Sequence, residues 1–207
     1  MANKNLVKDD NNWDKLLNIK TSGRDDTIAN TFHYPYEPTP YSVLERLANS
    51  GFIGKKELLI DYGCGKGRVE FFLAYQLKAR VVGVEYDERM YNKALENLKS
   101  IAYHTYIEFA LKNAVDYEFP HAAKHAYFFN PFSVEILKQV MNKIKNSYYE
   151  NPREIYMYFY YPSDEYISYL MGVDEVCFED EIDCSDIFEC HDDREKIMIF
   201  KLDIFEN

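Results

Sequence analysis

Apolar and polar positions along the chain follow two periods, one typical of strands and the other of amphipathic helices. Short apolar runs predict strands at residues 57–62, 80–86, 105–111, 125–130, 154–161, 175–182 and 195–203. Helical spacing predicts helices at residues 66–78, 88–102, 133–148 and 164–171. Strands that alternate with helices imply a parallel sheet that is covered by helices on both faces. The last two strands have no long helix between them, which implies an antiparallel strand near the edge of the sheet. We therefore expect an α/β fold with a seven-stranded, mostly parallel sheet.

The first fifty residues differ in character from the rest. Residues 1–31 carry many Asn, Asp and Lys without sustained periodicity, which predicts a loose or partly helical lead-in. In the stretch FHYPYEPTPYSVLERL that follows, three prolines impose an extended path, and Thr39 as cap with Pro40 at the first helical position predicts a helix start. We expect residues 1–50 to form an extension and lid on a core domain of residues 51–207.

Composition narrows the class of protein. The 207 residues are 47% hydrophobic and 29% charged, which is ordinary for a globular protein. The apolar stretches are far shorter than the ~20 residues of a membrane span, and the polar N-terminus lacks the apolar core of a secretory signal, so we expect a cytoplasmic protein. The formal net charge of -11 disfavours nucleic acid as a partner, although a local patch of Lys138, Lys143 and Lys145 is an alternative to a solvated helix face.

The four cysteines do not predict a metal site. Cys64, Cys177, Cys184 and Cys190 lack the paired short spacings of zinc ligands. The alternative is a metal site formed by Cys184, Cys190 and His191. We favour ordinary structural or surface roles for these three residues over such a site. We expect no metal.

The stretch LLIDYGCGKGRVEFF, residues 58–72, places three glycines between a predicted strand and a predicted helix: Gly63, Gly65 and Gly67. Such a turn permits backbone conformations and a close ligand approach that a Cβ would block. The dinucleotide fingerprint requires a third glycine where Arg68 stands, and a P-loop requires Ser or Thr directly after Gly-Lys. The helix N-terminus can favour a carboxylate as readily as a phosphate.

An acidic residue follows at a matching distance. Glu85 ends the next predicted strand about twenty residues after the turn, where a carboxylate can accept hydrogen bonds from both hydroxyls of a ribose. Either feature alone is a weak signal, since a glycine turn can be purely structural and a Glu at a strand end is often solvated. Together, in a strand-turn-helix-strand context, they favour nucleoside binding.

These motifs carry a resemblance to a known family. IDYGCGKGRVEFFLA and VVGVEYDERMYNKALENL resemble the first two motifs of the class I, Rossmann-type methyltransferases that depend on S-adenosylmethionine. The resemblance covers the sheet from about Leu58 onward and implies a Rossmann-like fold with this cofactor. It implies that Asp61, Gly63, Cys64 and Gly65 face the methionine portion of the cofactor and that Gly67 also belongs to the cofactor site. It further implies that Glu85 holds the ribose, Tyr86 flanks the adenine, and Asn113 and Ala114 contact the adenine edge.

A fourth motif, YFFNPF, ends the strand predicted at residues 125–130, where open parallel sheets place catalytic side chains. It is similar to the Asn/Asp-Pro-Pro-aromatic motif of amino-directed methyltransferases, with one proline instead of two. The resemblance implies that Asn130, beside the cofactor, and Pro131 accept hydrogen bonds from a target nitrogen while Phe132 packs nearby. The alternative is a turn in which Asn130 and Pro131 merely end a strand.

The proline-rich stretch upstream completes the site. Tyr34, Tyr36, Glu37 and Thr39 are predicted to lie over the cofactor as a lid; the alternative for the tyrosines is a hydrophobic staple for the following helix. The whole arrangement resembles a group of small bacterial class I methyltransferases and, more distantly, the Rossmann-type histone-lysine methyltransferases.

We therefore expect an S-adenosylmethionine-dependent methyltransferase directed at a nitrogen of a protein side chain or a small molecule. A non-catalytic cofactor-binding module or partner subunit is the first alternative. An NAD-dependent oxidoreductase is the second, and Arg68 in place of glycine disfavours it. The acceptor and the oligomeric state stay open.

Overall fold

The computed structural model describes residues 12–27, 34–102, 106–190 and 192–203. The strands are β1 Leu58–Tyr62, β2 Arg80–Glu85, β3 Tyr106–Leu111, β4 Ala123–Phe128, β5 Tyr156–Tyr160, β6 Val176–Asp183 and β7 Lys196–Leu202. The helices are α1 at 12–17, α2 Tyr41–Asn49, α3 Arg68–Leu77, α4 Glu88–Ser100, α5 Val134–Glu150 and α6 Asp164–Leu170. Each predicted strand and helix is present, with ends that differ by a few residues.

The seven strands form one sheet in the order β3-β2-β1-β4-β5-β7-β6. β1 pairs in parallel with β2 on one side and with β4 on the other. β7 is antiparallel to both of its neighbours, β5 and β6, so the predicted mostly parallel sheet with an antiparallel strand near the edge is confirmed. Because the chain winds outward in both directions from β1, a crevice opens at the carboxyl ends of β1 and β4.

The sheet is covered on both faces by hydrophobic clusters. Leu59 and Ile60 are adjacent in β1 and belong to different clusters, because successive side chains of a strand point to opposite faces. Phe71 of α3 packs in the first cluster and Leu137 of α5 in the second. Burial on both faces explains why the central strands β1 and β5 read as continuous apolar runs in the sequence, whereas the edge strand β6 is largely exposed. Within the described ranges, no helix combines the length and apolarity that a membrane span requires.

The start of α2 differs from the prediction. The helix begins at Tyr41, its N-cap residue is Pro40, and no side chain caps it. The hydroxyl of Thr39, predicted as the cap, instead forms a buried hydrogen bond of 3.0 Å with the hydroxyl of Tyr127 on β4. Thr39 thus bonds to a residue far away in the sequence instead of to the backbone of α2, and this hydrogen bond fixes residues 34–39 above the sheet.

The lead-in segment is tied to the core more firmly than its composition predicts. Asp14 is buried, and one of its carboxylate oxygens accepts hydrogen bonds from the hydroxyls of Thr21 (2.6 Å) and Tyr41 (2.7 Å). Its other oxygen accepts from the Thr21 backbone N–H at 2.7 Å. Residues 12–27 are therefore fastened to α2, next to the crevice.

Candidate active site

A cleft of about 960 Å³, including its open mouth, lies at the carboxyl ends of β1, β2 and β4. The predicted site residues that line it are Tyr34, Tyr36, Glu37, Thr39, Asp61, Gly63, Cys64, Glu85, Tyr86, Asn113, Ala114, Pro131 and Phe132. Gly65, Gly67 and Asn130 are predicted site residues that do not contribute to the lining. The fold thus brings five separate segments of the chain to one crevice.

The glycine turn makes room for neighbouring protein segments. Gly63 and Gly65 have φ values of 81° and 56°, a region that favours glycine. A Cβ on Gly63 would lie 2.4 Å from the Cβ of Pro131, and one on Gly65 would lie 2.1 Å from a ring carbon of Tyr36. At these two positions the space expected for a ligand is thus occupied by residues 34–39, the predicted lid, and by the loop after β4. Both segments are thereby held close to the turn.

Glu85 is anchored by backbone donors at the end of β2. One carboxylate oxygen accepts the Gly65 N–H at 2.8 Å and the other accepts the Asp87 N–H at 2.7 Å. Burial raises the pKa of Glu85, and the backbone N–H groups partly oppose that rise. Because each carboxylate oxygen can accept a second hydrogen bond, both can still meet a hydroxyl in the cleft.

Two further buried acids lie beneath the turn. Asp61, at the end of β1, is 3% exposed, and Glu70 of α3 is completely buried. Burial raises the pKa of Asp61 to about 7 and that of Glu70 well above its usual range. Glu70 is not among the predicted site residues; its signal in the sequence is an acid between Val69 and Phe71 in a helix that is otherwise apolar there.

Asn113 and Tyr86 lie at the edge of the cleft. The side-chain oxygen of Asn113 caps a short 3₁₀ helix, Ala114–Asp116, by accepting the Val115 N–H at 3.2 Å. The N–H groups of the Asn113 side-chain amide are left to donate hydrogen bonds to a ligand. Tyr86 is 53% exposed, as expected for a side chain whose ring would be covered by a ligand.

The Asn130 side chain holds two loops together. Its amide nitrogen donates to the Tyr161 carbonyl, and its oxygen accepts the Ser163 N–H at 3.2 Å. The backbone of Asn130 has a φ of 39°, which turns the chain so that Pro131 and Phe132 face the cleft. Asn130 therefore ties the β4–α5 loop to the β5–α6 loop, and contact between this side chain and a target nitrogen stays a prediction.

The lid crosses the turn as an extended segment. Tyr36 forms an isolated antiparallel bridge with Asp25, and its hydroxyl donates to the Thr21 carbonyl at 2.6 Å. The Tyr34 N–H donates to the Pro131 carbonyl at 3.4 Å. Glu37 forms an exposed ion pair of 3.2 Å with Arg24.

Arg68 anchors the lid from below. This residue, at the position that departs from the dinucleotide fingerprint, is 2% exposed. Its guanidinium donates to the Thr21 hydroxyl at 2.7 Å and to the Thr39 carbonyl at 3.1 Å, and it lies 4.4 Å from the centre of the Tyr41 ring. In the sequence, Arg68 serves only to exclude the dinucleotide fingerprint, whereas in the structure its side chain joins α3 to the N-terminal segment.

An aromatic and acidic group that the sequence analysis missed adjoins the mouth of the cleft. Phe129 lines the cleft, and its ring packs on Tyr160 with centroids 4.6 Å apart. The Tyr160 hydroxyl donates to Glu195 at 2.6 Å. Burial raises the pKa of Glu195, and the nearby carboxylates of Asp192 and Glu37 add to that rise. These residues come from separate strands, so no local motif reveals them.

Comparison with known proteins gives two kinds of similarity. Residues 59–148 match a family model described as a methyltransferase domain. The chain is also 32% identical over 68 residues to a protein-lysine N-methyltransferase of Saccharolobus islandicus. That alignment covers 32% of this chain and 42% of the relative. The chain therefore matches about two fifths of the length of this relative.

Solved structures with the same fold include two methyltransferases. An RNA methyltransferase from Salinibacter ruber in complex with S-adenosyl-L-homocysteine has a TM-score of 0.56 and 19% identity, covering 83% of this chain and 97% of that one. An N-methyltransferase from Bradyrhizobium japonicum has a TM-score of 0.56 and 15% identity, covering 79% and 94%. At these identities the likeness shows the fold alone. With the match over residues 59–148, it confirms the predicted resemblance of this chain to the class I, Rossmann-type methyltransferases that depend on S-adenosylmethionine.

Proposed function

We propose that the protein transfers a methyl group from S-adenosylmethionine to a nitrogen atom, with the amine of a protein lysine side chain as the leading acceptor. One observation carries the proposal: a single cleft joins the buried carboxylates of Asp61 and Glu85 to an acidic and aromatic mouth beneath a lid. The match to a methyltransferase domain supports the reaction type. The relative from Saccharolobus islandicus supports lysine as the acceptor.

The residues of the cleft fit this cofactor. S-adenosylmethionine would supply an electrophilic methyl group on a positively charged sulfonium. Glu85 would accept hydrogen bonds from the ribose hydroxyls, and Asp61 would favour the cationic methionine end. Two buried carboxylates beside the turn are complementary to a cation and repel a pyrophosphate, which disfavours NAD.

The mouth of the cleft fits an alkyl amine. Tyr34 and Phe129 offer apolar surface for a methylene chain, and Glu37 offers a carboxylate that attracts an ammonium group. Methyl transfer requires little more than in-line placement and a nitrogen that has lost its proton. The formal net charge of -11 favours a cationic protein or small molecule over nucleic acid as acceptor.

The YFFNPF motif contributes to this proposal in two ways. Pro131 and Phe132 line the cleft and are proposed to contact the acceptor. Asn130 is proposed to act by holding the loop that carries them against the β5–α6 loop. The occupied Asn130 amide also favours the competing function, a cofactor-binding module without catalysis.

Calorimetry and methyl transfer together test the proposal. Calorimetric titration with S-adenosylmethionine and with NAD should show binding of the first cofactor only. Transfer from labelled cofactor should then be measured with a lysine-rich polypeptide, with the same polypeptide after exhaustive lysine methylation, and with RNA. We expect label in the unmodified polypeptide alone. Binding without transfer to any acceptor would favour the non-catalytic module, and NAD binding in place of S-adenosylmethionine would exclude the proposed reaction.

A further inference from the structure

A buried acid that the proposed reaction does not use lies directly beneath the glycine turn. Glu70 of α3 is fully buried, and among the described residues neither of its carboxylate oxygens has a hydrogen-bond partner. A Cβ on Gly83 of β2 would lie 2.3 Å from one of these oxygens and 2.7 Å from the Cys64 sulfur. The absence of a side chain at Gly83 thus creates the space in which the Glu70 carboxyl lies.

The carboxyl group beside Glu70 is that of Asp61, which lies in the cleft lining. Asp61 lies opposite Gly83 in the parallel pairing of β1 with β2, and the Glu70 carboxyl lies over Gly83, so the two carboxyl groups are neighbours on the same face of the sheet. Two neighbouring carboxyl groups can form a hydrogen bond with each other only when one of them carries a proton, because an ionised carboxylate has no donor. The other titratable groups that act on the pair are the Cys64 thiol of the turn, the Glu85 carboxylate of β2 and the hydroxyls of Tyr36 and Tyr127, and none of them is a cation. The surroundings therefore favour retention of one proton.

We propose that Glu70 is a positioning residue that shares one proton with Asp61 and thereby sets the negative charge that the cleft floor presents to a cationic ligand. The inference rests on the proposed function, since S-adenosylmethionine supplies the cation. When the cation binds, the pair releases the shared proton to solvent and its charge changes from −1 to −2. No other bond forms or breaks. Burial raises the pKa of Asp61 to about 7, so this release falls in the neutral range.

The first test uses protein without cofactor. Glu70→Gln supplies a permanent N–H donor to Asp61 and removes the shared proton. The pKa of each carboxyl is higher in the folded protein than in the unfolded chain, so the pair stabilises the fold most at acidic pH. This contribution is lost as pH rises through about 7. The thermal midpoint of the wild type, relative to Glu70→Gln, should fall by about 5 °C between pH 5 and 8.

The second test measures cofactor affinity by calorimetry in both proteins at pH 6 and 8. Both proteins bind the same cofactor, so protonation of the cofactor itself affects the two dissociation constants equally and cancels in their ratio. Affinity of the wild type relative to Glu70→Gln should rise about tenfold over this interval. Glu70→Met is the matched variant: it leaves Asp61 without a donor, so a rise with pH should persist. A merely structural role for Glu70 would give parallel pH profiles in all three proteins.

The outcomes separate the two hypotheses. Absence of S-adenosylmethionine binding to the wild type would overturn the proposed function, while the cofactor-free measurement would still decide whether the proton is shared. A constant difference in thermal midpoint from pH 5 to 8 would overturn the inference even if the cofactor binds. If Glu70→Gln does not fold, Asp61→Asn supplies a donor from the other side of the pair and serves the cofactor-free measurement.

Discussion

The cleft has two sides that are built differently. The side that we propose binds the methyl donor, called the donor side, consists of the glycine turn with the ends of β1 and β2. The side that we propose binds the methyl acceptor, called the acceptor side, consists of residues 34–39 with the loops that follow β4 and β5. On the donor side, Gly65 and Glu85, 20 residues apart, form the central hydrogen bond. On the acceptor side, the hydrogen bond between Thr39 and Tyr127 spans 88 residues. A contiguous motif therefore encodes the donor side, and only the folded chain assembles the acceptor side.

The two sides also differ in the exposure of their charges. Glu85 is 8% exposed and is fixed by two backbone donors, whereas the side chain of Glu37 is 56% exposed and meets Arg24 at the surface. Buried charges interact strongly with their surroundings, and exposed ones are screened by water and salt. We therefore expect substitutions on the donor side to have large effects and those at the mouth of the acceptor side to be mild.

The largest effect is expected where the two sides are joined. Arg68→Met removes hydrogen bonds to Thr21 and Thr39 and leaves these buried groups without their donor. Urea unfolding should show a loss of about 3 kcal/mol in the free energy of unfolding. Arg89→Met, at a partly exposed arginine of α4, is the control and should cost less than about 1 kcal/mol. Equal losses in the two variants would show that Arg68 does not anchor the lid.

The next effect tests the donor side alone. Glu85→Gln replaces one of the two oxygens that accept hydrogen bonds with an NH₂ group and removes the negative charge. That charge is proposed to strengthen the hydrogen bonds from the Gly65 N–H and from the ribose hydroxyls. Calorimetry should show affinity for S-adenosylmethionine reduced about 100-fold. Glu88→Gln changes an exposed acid three residues away and should leave the affinity unchanged. A reduction of less than about fivefold in Glu85→Gln would contradict the proposed ribose contact.

A smaller effect is expected on the acceptor side. Asn130→Gly keeps the φ of 39° accessible but removes the hydrogen bonds to Tyr161 and Ser163. The turnover rate should fall about tenfold because Pro131 and Phe132 lose their fixed position, while cofactor affinity stays unchanged. Asn130→Asp keeps the oxygen that accepts the Ser163 N–H and should retain part of the rate. Unchanged turnover in Asn130→Gly would remove Asn130 from the mechanism.

The smallest effect is expected at the mouth. Glu37→Gln removes an exposed negative charge, so KM for a lysine-rich acceptor should rise about threefold at low salt, with little change in kcat. The difference from wild type should shrink as salt is added. Glu150→Gln, an exposed acid at the far end of α5, is the control for net charge. A KM that is equally sensitive to both substitutions would indicate a general charge effect in place of a docking site.

The differences between expectation and structure concentrate on the acceptor side. The glycine turn and Glu85 could be identified from spacing because they are close in sequence and their geometry is local. Thr39 was expected to cap a helix, but a hydroxyl on β4, far away in sequence, replaces that role. Phe129, Tyr160 and Glu195 could not be grouped beforehand, because their proximity depends on the β4–β5 and β5–β7 pairings.

The sequence by itself determined the sheet, its antiparallel strand near the edge and the donor side of the cleft, because hydrophobic periodicity and glycine spacing act over short distances along the chain. Only the tertiary structure decided where buried charge ends up. It placed Glu70 against Asp61, bound Arg68 to the N-terminal segment and turned the Asn130 amide toward Tyr161 and Ser163. These outcomes depend on which elements pack face to face, and no local pattern specifies that packing.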